Sequence, residues 1–455
     1  MHRSFSYWVF SLFILPLGIM TAGVSSAVAQ GTASQSPPHL LIFLADDYSF
    51  LDSEDEGAKD VHTPNLTRLA KAGMSFSHAF VASPSCAPSR AALLTGLMPA
   101  RNGAEVNHAR PRAELKKLPA YLQELGYEVV AFGKVSHYKH TADYGFDHFA
   151  HDTFHDHAGI PAAVEYLQAR KSKKPLCIFV GSNWPHVPWP RPAPDADLSQ
   201  AALPPSQADT PETRRARIAY AAAVKLMDDE LGRVMTAAHE TLGSDNLVTM
   251  MSSDHGAQFP FGKWNCYDVG IRVPLIVSWP GVIAPGSHTD AMVSWVDILP
   301  TLVDMGGGKP DQSLDGKSML PVLTGEAKAF RERIFTTHTA DGKMNNYPMR
   351  SVRTQDWKLI LNLTPEAMYT THIDLEPNAH KPKYWGGYWA TWEKAAETDP
   401  DIAAKVKRYR YRPAVELYDL ANDPHELNNL ADDPQQAERV KELRATLFEM
   451  RNEEF

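Results

Sequence analysis

From His39 onward, short apolar runs alternate with stretches whose apolar residues recur at helical spacing, the pattern of a sheet with crossover helices. The runs Leu40 to Ala45, Glu128 to Phe132, Leu176 to Val180, Leu247 to Met251 and Val273 to Trp279 predict strands. Thr63 and Pro64 offer an N-cap and a first-turn proline to a helix that carries Leu66, Leu69 and Ala70 and stops at Gly73. A longer helix is predicted from Glu212 to Ala238. The Pro-rich stretch from Pro185 to Pro211 reads as a long surface connection that lines something. Beyond residue 330 the pattern changes to charged, aromatic-rich segments such as Val352 to Leu361 and Ala414 to Leu420. The fold class is therefore α/β, with a larger domain at 37–330 and a smaller one at 331–455.

The polar residues just after the strands change this picture from scaffold to site. Leu40 to Ala45 ends in Asp46 and Asp47, and Glu128 to Phe132 in Gly133, Lys134 and His137. Leu176 to Val180 is followed by His186, and Leu247 to Met251 by Asp254 and His255. Ligands of open α/β sheets bind outside the carboxyl ends of the strands, so these groups should converge.

The N-terminus follows another logic. Tyr7 to Met20 is mostly apolar, contains Pro16, and leads to Ala27-Val28-Ala29, a small-x-small cleavage site. Residues 1–29 thus read as a signal peptide. The apolar run is shorter than the ~20 residues of a spanning helix, and no cysteine near it offers a lipid site. The expectation is export without a stable membrane anchor, to the periplasm or the extracellular space, or to the lysosome in a eukaryotic host.

Composition narrows the classes. In 455 residues, 44% are hydrophobic and 22% charged, which excludes a disordered chain and a polytopic membrane protein. The net charge of -9 argues against nucleic-acid binding but leaves room for an anion held by a few focused cations. Oligomeric state is not legible. Cys86, Cys177 and Cys266 are too few and too odd in number for a disulfide framework.

One of these cysteines lies in the strongest local signal, Ser85-Cys86-Ala87-Pro88-Ser89-Arg90 followed by Ala91-Ala92-Leu93-Leu94-Thr95-Gly96. Alone, such a cysteine would read as a buried residue at a helix start. The whole run is similar to the signature of the type I sulfatases, whose cysteine a formylglycine-generating maturation enzyme oxidises to formylglycine. The resemblance implies an aldehyde at Cys86, which hydrates to a geminal diol. One hydroxyl, acidified by a cation, attacks sulfur, and deprotonation of the other expels sulfate, whereas a serine would be left as a stable ester. Arg90 then holds the diol or the cation ligands in register.

Asp46, Asp47 and Asp254 make a hard oxygen cluster suited to Ca²⁺ or Mg²⁺, although Asp-Asp after a strand is by itself equally a solvated turn. Set beside Cys86 and Asp254-His255-Gly256, they resemble the sulfatase metal site, with His255 where many relatives have Asn. Lys134 and Lys263 resemble the family lysines that bind sulfate oxygens. His137 resembles the base that collapses the intermediate, in a Lys-x-x-His spacing, and His186 the histidine that protonates the leaving oxygen.

The likeness runs nearly end to end, through Gly270 to Leu275, Asp297 to Thr301 and Glu416 to Leu420. It implies an alkaline-phosphatase-like mixed sheet sandwiched by helices, with a smaller C-terminal α+β domain. Pro99 to His108 looks like the heparan N-sulfatase branch, with His108 a substrate contact, and Lys134 to His137 like the iduronate-2-sulfatases. The expected activity is hydrolysis of sulfate esters or N-sulfate of a sulfated oligosaccharide. The alternative on the same scaffold is a phosphonate or phosphate ester hydrolase, and the alternative from another class a silent glycan-binding protein.

Other features stay open between two readings. The histidines between His137 and His157, with Asp147, Asp152 and Asp156, suit a polar loop near the entrance better than a second metal site. Trp385, Tyr388, Trp389 and Trp392 suit interdomain packing or sugar stacking. Lys405, Lys407, Arg408, Arg410 and Arg412 suit a solvated face or an anion guide.

Overall fold

Strand β1 (His39–Ala45) is buried on both faces because its odd and even residues enter different cores. The computed structural model describes residues 36–54, 57–150, 157–375 and 387–453, with Met1, His2 and Ser6. The rest of the expected signal peptide, the segment with His151, Asp152, His155 and Asp156, and Trp385 lie outside the described residues.

In chain order β1 is followed by β2 (Met74–Phe76), β3 (Ala79–Phe80), β4 (Glu128–Gly133), β5 (His148–Ala150), β6 (Leu176–Gly181) and β7 (Leu247–Ser253). Then come β8 (Leu275–Ser278), β9 (Ser287–Thr289) and β10 (Val293–Ser294). The main sheet runs β5-β4-β6-β1-β7-β8-β2-β9, and β10 pairs with β3 in a separate ladder. β5, β4, β6, β1 and β7 are mutually parallel, so their carboxyl ends share one edge. β8 turns the sheet antiparallel, pairing Leu275 with Ser252, and is shorter than the Val273 to Trp279 run because only its middle enters the ladder.

Leu41, Phe43 and Ala45 face a core shared with the helices Pro64–Ala72, Gly159–Ala169 and Pro211–Leu242. Leu40, Ile42 and Leu44 face a second core with Leu93, Leu122 and Leu302 from the helices Cys86–Thr95, Leu118–Glu124 and Ile298–Met305. The mixed sheet is thus sandwiched by helices, as expected.

The helix predicted after Thr63 forms, but the Thr63 side chain does not cap it. Asp228, from the helix Pro211–Leu242, accepts from the Asn65 and Leu66 N–H groups at 3.0 and 2.8 Å instead. A carboxylate at the positive helix end is a stronger cap than a hydroxyl. The long helix starts as the sequence suggests, with Thr210 accepting from the Thr213 N–H at 3.2 Å.

The later residues form an antiparallel sheet of β11 (Ile334–His338), β12 (Met349–Arg353), β13 (Trp357–Asn362) and β14 (Val415–Asp419). Val352 to Leu361 is therefore a hairpin. The helix Ala437–Glu453 covers this sheet through Leu443 and Leu447 against Val352, Leu359 and Leu417. Pro37–Phe455 forms one compact unit by its own contacts. Among the described residues, no helix is long and apolar enough to cross a membrane.

Candidate active site

The shared parallel edge brings the expected groups together. Asp46 and Asp47 leave β1, Lys134 leaves β4, His186 follows β6, and Asp254 and His255 leave β7. Two close approaches make this possible. A Cβ on Gly181 would stand 2.1 Å from the Lys134 carbonyl, and one on Gly256 would stand 1.8 Å from that of Val269. Asp47 turns in the left-handed region at φ 71°, held by its N–H on Asp254 Oδ1 at 3.1 Å and by the Tyr220 hydroxyl on its carbonyl at 3.2 Å. His108, Tyr138, Phe261 and Trp264 are also left-handed, so backbone strain gathers here.

Cys86 is the first residue of its helix, 3% exposed, after an extended Ser85. Its Sγ lies 3.2 Å from His255 Nε2, 3.7 Å from Lys134 Nζ and 3.9 Å from Asp46 Oδ1. One turn on, the buried Arg90 donates to Asp254 Oδ2 at 2.8 Å and to Asp46 Oδ1 at 3.4 Å. It also donates to the carbonyls of Ala45 and Lys134, so it ties the ends of β1 and β4 to the acidic cluster.

One ligand atom each from Asp46, Cys86, Asp254 and His255 lies within 4.8 Å of the others, and Asp47, Cys86 and His186 form an overlapping group. The His255 Nδ1–H donates to the Gly256 carbonyl at 3.0 Å, leaving Nε2 bare toward Cys86 and Asp47. An oxygen-rich, buried set with an imidazole in the ligating tautomer fits a divalent cation. Lys134 Nζ rests 2.5 Å from Asp46 Oδ2, and Lys263 Nζ bonds both Asp47 oxygens at 2.9 and 3.0 Å.

The protonation pattern follows from burial and these cations. Burial alone would push the Asp46 carboxyl up, but Lys134, His186, Arg90 and Lys263 outweigh it and hold it well below the usual range. Burial, with Asp46 and Asp254 as neighbours, pushes Asp47 up. Burial disfavours the Lys134 cation, yet Asp46 and Cys86 keep it charged far above neutrality. Burial raises the Cys86 thiol to about 12, so the unmodified residue is a poor nucleophile. Burial, then Lys134 and His108, press His137 down to about 2. His186 is likewise driven well below its ordinary value by burial, Lys263 and Lys134.

Over Cys86 opens a cavity of about 280 Å³ lined by His137, His186, Lys263 and His108, all expected, and by residues the sequence reading missed. These are Asn107, Tyr138, Gln258, Trp264, Asp341 and His372. Asn107 and Trp264 are neighbours in sequence of expected site residues, which was the available signal. Asp341 and His372 arrive from the C-terminal third with none.

The open features resolve toward structure. Tyr388, Trp389 and Trp392 are buried in the core, with Trp392 Nε1 donating to Thr213 Oγ1 at 2.8 Å. In the basic run, Arg408 and Arg412 stack on Tyr267, Arg410 bonds Glu393 at 2.6 Å, and Lys405 donates to the Gln207 carbonyl at 2.8 Å. Only Lys407 of that run is exposed, so it makes no cationic face. His137 packs edge-on to His108 at 4.5 Å and near His140 at 5.4 Å. Among the described residues, both ligand groups close enough for a metal ion lie at Cys86.

Comparison with known proteins bears on this site. Residues 38–308 match the family model described as Sulfatase, and residues 255–384 that of the N-sulphoglucosamine sulphohydrolase C-terminal domain. An ulvan-active sulfatase of Formosa agariphila is 30% identical over 90% of this chain and 79% of its own. Human N-sulphoglucosamine sulphohydrolase is 28% identical over 92% of this chain and 90% of its own. A solved structure in complex with its substrate D-glucosamine-2-N,6-O-disulfate superposes with TM-score 0.67 and 19% identity, over 92% of this chain and 98% of that one. The phosphonate monoester hydrolase of Agrobacterium radiobacter does so with TM-score 0.67 and 18% identity, over 92% and 96%. At such identities the superpositions establish the fold alone.

Proposed function

This chain belongs to the sulfatase family and is a sulfuric ester hydrolase, and from that premise we propose that it frees sulfate from a sulfated carbohydrate using formylglycine made from Cys86 and a divalent cation. The observation that carries the reading is Cys86 at a helix N-terminus, 3.2 Å from His255 Nε2 and 3.7 Å from Lys134 Nζ, beside a buried acidic ligand group.

The aldehyde and the cation, when present, supply an activated oxygen nucleophile and a Lewis acid beside it. Asp46, Asp47, Asp254 and His255 are the residues that would hold the cation, with Arg90 fixing two of the carboxylates. Lys134 and Lys263 present ammonium groups to sulfate oxygens. Burial keeps His137 neutral, the form a base requires. His186 donates Nδ1–H to the Val187 carbonyl at 2.7 Å, so in the neutral ring Nε2 carries no proton and must gain one before it can serve the leaving group. A sulfate monoanion set against Lys263 and Lys134 offsets the two cations that depress it.

The role of His186 is testable by leaving group. His186→Ala is expected to lower kcat on a sugar sulfate by about 10²–10⁴-fold but far less on an activated aryl sulfate, whose departing oxygen needs little protonation. Equal losses on both would contradict the assignment. For the cation, chelation of matured protein should abolish turnover and added Ca²⁺ or Mg²⁺ should restore it. Unchanged activity after demetallation, checked by elemental analysis, would remove the metal from the reading.

Support for an amino-sugar sulfate comes from the human N-sulphoglucosamine sulphohydrolase and the C-terminal family match, and for a polysaccharide from the ulvan-active relative. The deciding assay is sulfate release across N- and O-sulfated glucosamines and ulvan oligosaccharides, with paired phosphate and phosphonate esters. Turnover of phosphonates without sulfate release would favour the alternative on this scaffold. Residues 1–29 support export to the periplasm or beyond, and conversion of Cys86 requires a maturation enzyme as partner. A mature N-terminus at Gln30, read by mass from the native host, would bear out the cleavage site.

A further inference from the structure

Asp341 sits in the turn after β11, is 4% exposed, and reaches the cavity over Cys86 from outside every motif of the catalytic segment. Three donors converge on its two oxygens. His108 Nε2 approaches Oδ1 at 3.2 Å, while Asn107 Nδ2 and Trp264 Nε1 donate to Oδ2 at 2.9 and 2.7 Å. Each partner leads to the reaction centre by one further link. The Asn107 amide oxygen accepts from the Ala87 N–H at 3.0 Å, the residue after Cys86 in the first helical turn. Trp264 follows Lys263 in a left-handed turn, its own N–H held by the Pro84 carbonyl at 2.8 Å. The backbones agree with this bracing, because the Asn107 N–H donates to the Ala340 carbonyl at 2.9 Å.

We propose that Asp341 is a positioning residue for sulfate transfer, orienting Asn107 and Trp264 so that the Cys86 helix and Lys263 face one another across the cavity. A buried carboxylate forms charge-assisted bonds, which set donor directions more tightly than neutral ones. An asparagine has the same shape but turns an NH₂ toward at least one of the donors, leaving it unpaired. The expected damage is to geometry at the reacting atoms, which appears in kcat, since small misplacements cost up to about 10²-fold. His108, at the exposed mouth, carries the smaller share that appears in KM.

This inference rests on the sulfatase reading of the cavity, and its test separates the two. Matured wild type, Asp341→Asn, Asn107→Ala and the double variant are compared for sulfate release, with Cys86 conversion confirmed by peptide mass and amide exchange followed in the peptide holding Cys86 to Arg90. Asp341→Asn should lower kcat by about ten- to a hundredfold with KM within about threefold. The double variant should lose less than the product of the single losses, and the Ala87 amide should exchange faster in all three. A kcat within twofold of wild type, multiplying losses, or unchanged exchange would overturn the proposal. If Asp341→Asn fails to fold, Asn107→Ala decides: full kcat and native exchange refute the link, and reduced kcat with faster exchange sustains it. Absence of sulfate release by wild type would count against the sulfatase reading, while the exchange data would still show whether Asp341 braces the helix.

Discussion

Protein carrying Cys86→Ala, coexpressed with the maturation enzyme, should release no measurable sulfate from a substrate that wild type turns over, a loss of about 10⁴-fold or more. Position 86 opens a helix, where alanine is at ease, and the side chain removed is small, so the variant should keep its fold. What disappears is the group poised among Asp46, Lys134 and His255 that maturation would turn into a nucleophile. Lys134, Lys263 and the acidic ligands remain, so the variant should still bind substrate. A binding measurement by calorimetry beside the sulfate assay separates lost chemistry from lost binding. Residual turnover above about one-hundredth of wild type would mean that another oxygen attacks sulfur. Cys86→Ser offers a sharper control: a serine can attack, yet it has no second hydroxyl with which to expel sulfate, so at most one equivalent should be consumed.

Arg90→Ala should be the most destabilising change in the site, by about 3–5 kcal/mol. Its guanidinium is fully buried between Asp254, at 2.8 Å, and Asp46, at 3.4 Å, and removing it leaves Asp254 in the interior without its nearest cation and Asp46 to Lys134, 2.5 Å away. The Ala45 and Lys134 carbonyls lose a donor at the same time. Arg90→Lys should not rescue it, because one ammonium cannot span two carboxylates and two strand ends as a planar fork does. Denaturant midpoints with unchanged slopes would measure the effect, and a loss under about 1 kcal/mol would show that the lysines balance the cluster unaided.

These two expectations concern residues that the sequence displays openly, and that is no accident of this chain. Groups placed at the ends of parallel strands are local in sequence to apolar runs, so the eye finds Asp46, Asp47, Lys134, Asp254 and His255 once it finds β1, β4 and β7. The flanking signature did the same for Cys86 and Arg90. Asp341 was invisible because its meaning lies in a bond to Asn107 across 234 positions, and Asp228 because it caps a helix 163 positions away. Periodicity carries no record of such pairings. The basic run and the tryptophans stayed open between two readings for a related reason: composition registers charge and ring area, whereas Arg412 and Trp392 spend both inside the core. His137 and His186 were legible as histidines, but their strongly depressed basicity belongs to the buried cations around them.

The burial of Cys86 also sets a clock. Its helix packs against a sheet whose central strand β1 pairs with β6 and β7, so the pocket closes only after Ser253 has been made. At ordinary rates of synthesis the ribosome needs roughly 10–30 s to travel from residue 86 to 253, and throughout that interval the finished pocket does not yet exist. A modifying enzyme would have its access then; afterward the same thiol, 3% exposed, lies at the floor of the cavity. Conversion, on the proposed reading, would therefore race with folding, and the fraction of active molecules in a preparation should record which was faster, rising when translation is slowed and falling when the modifying enzyme is scarce.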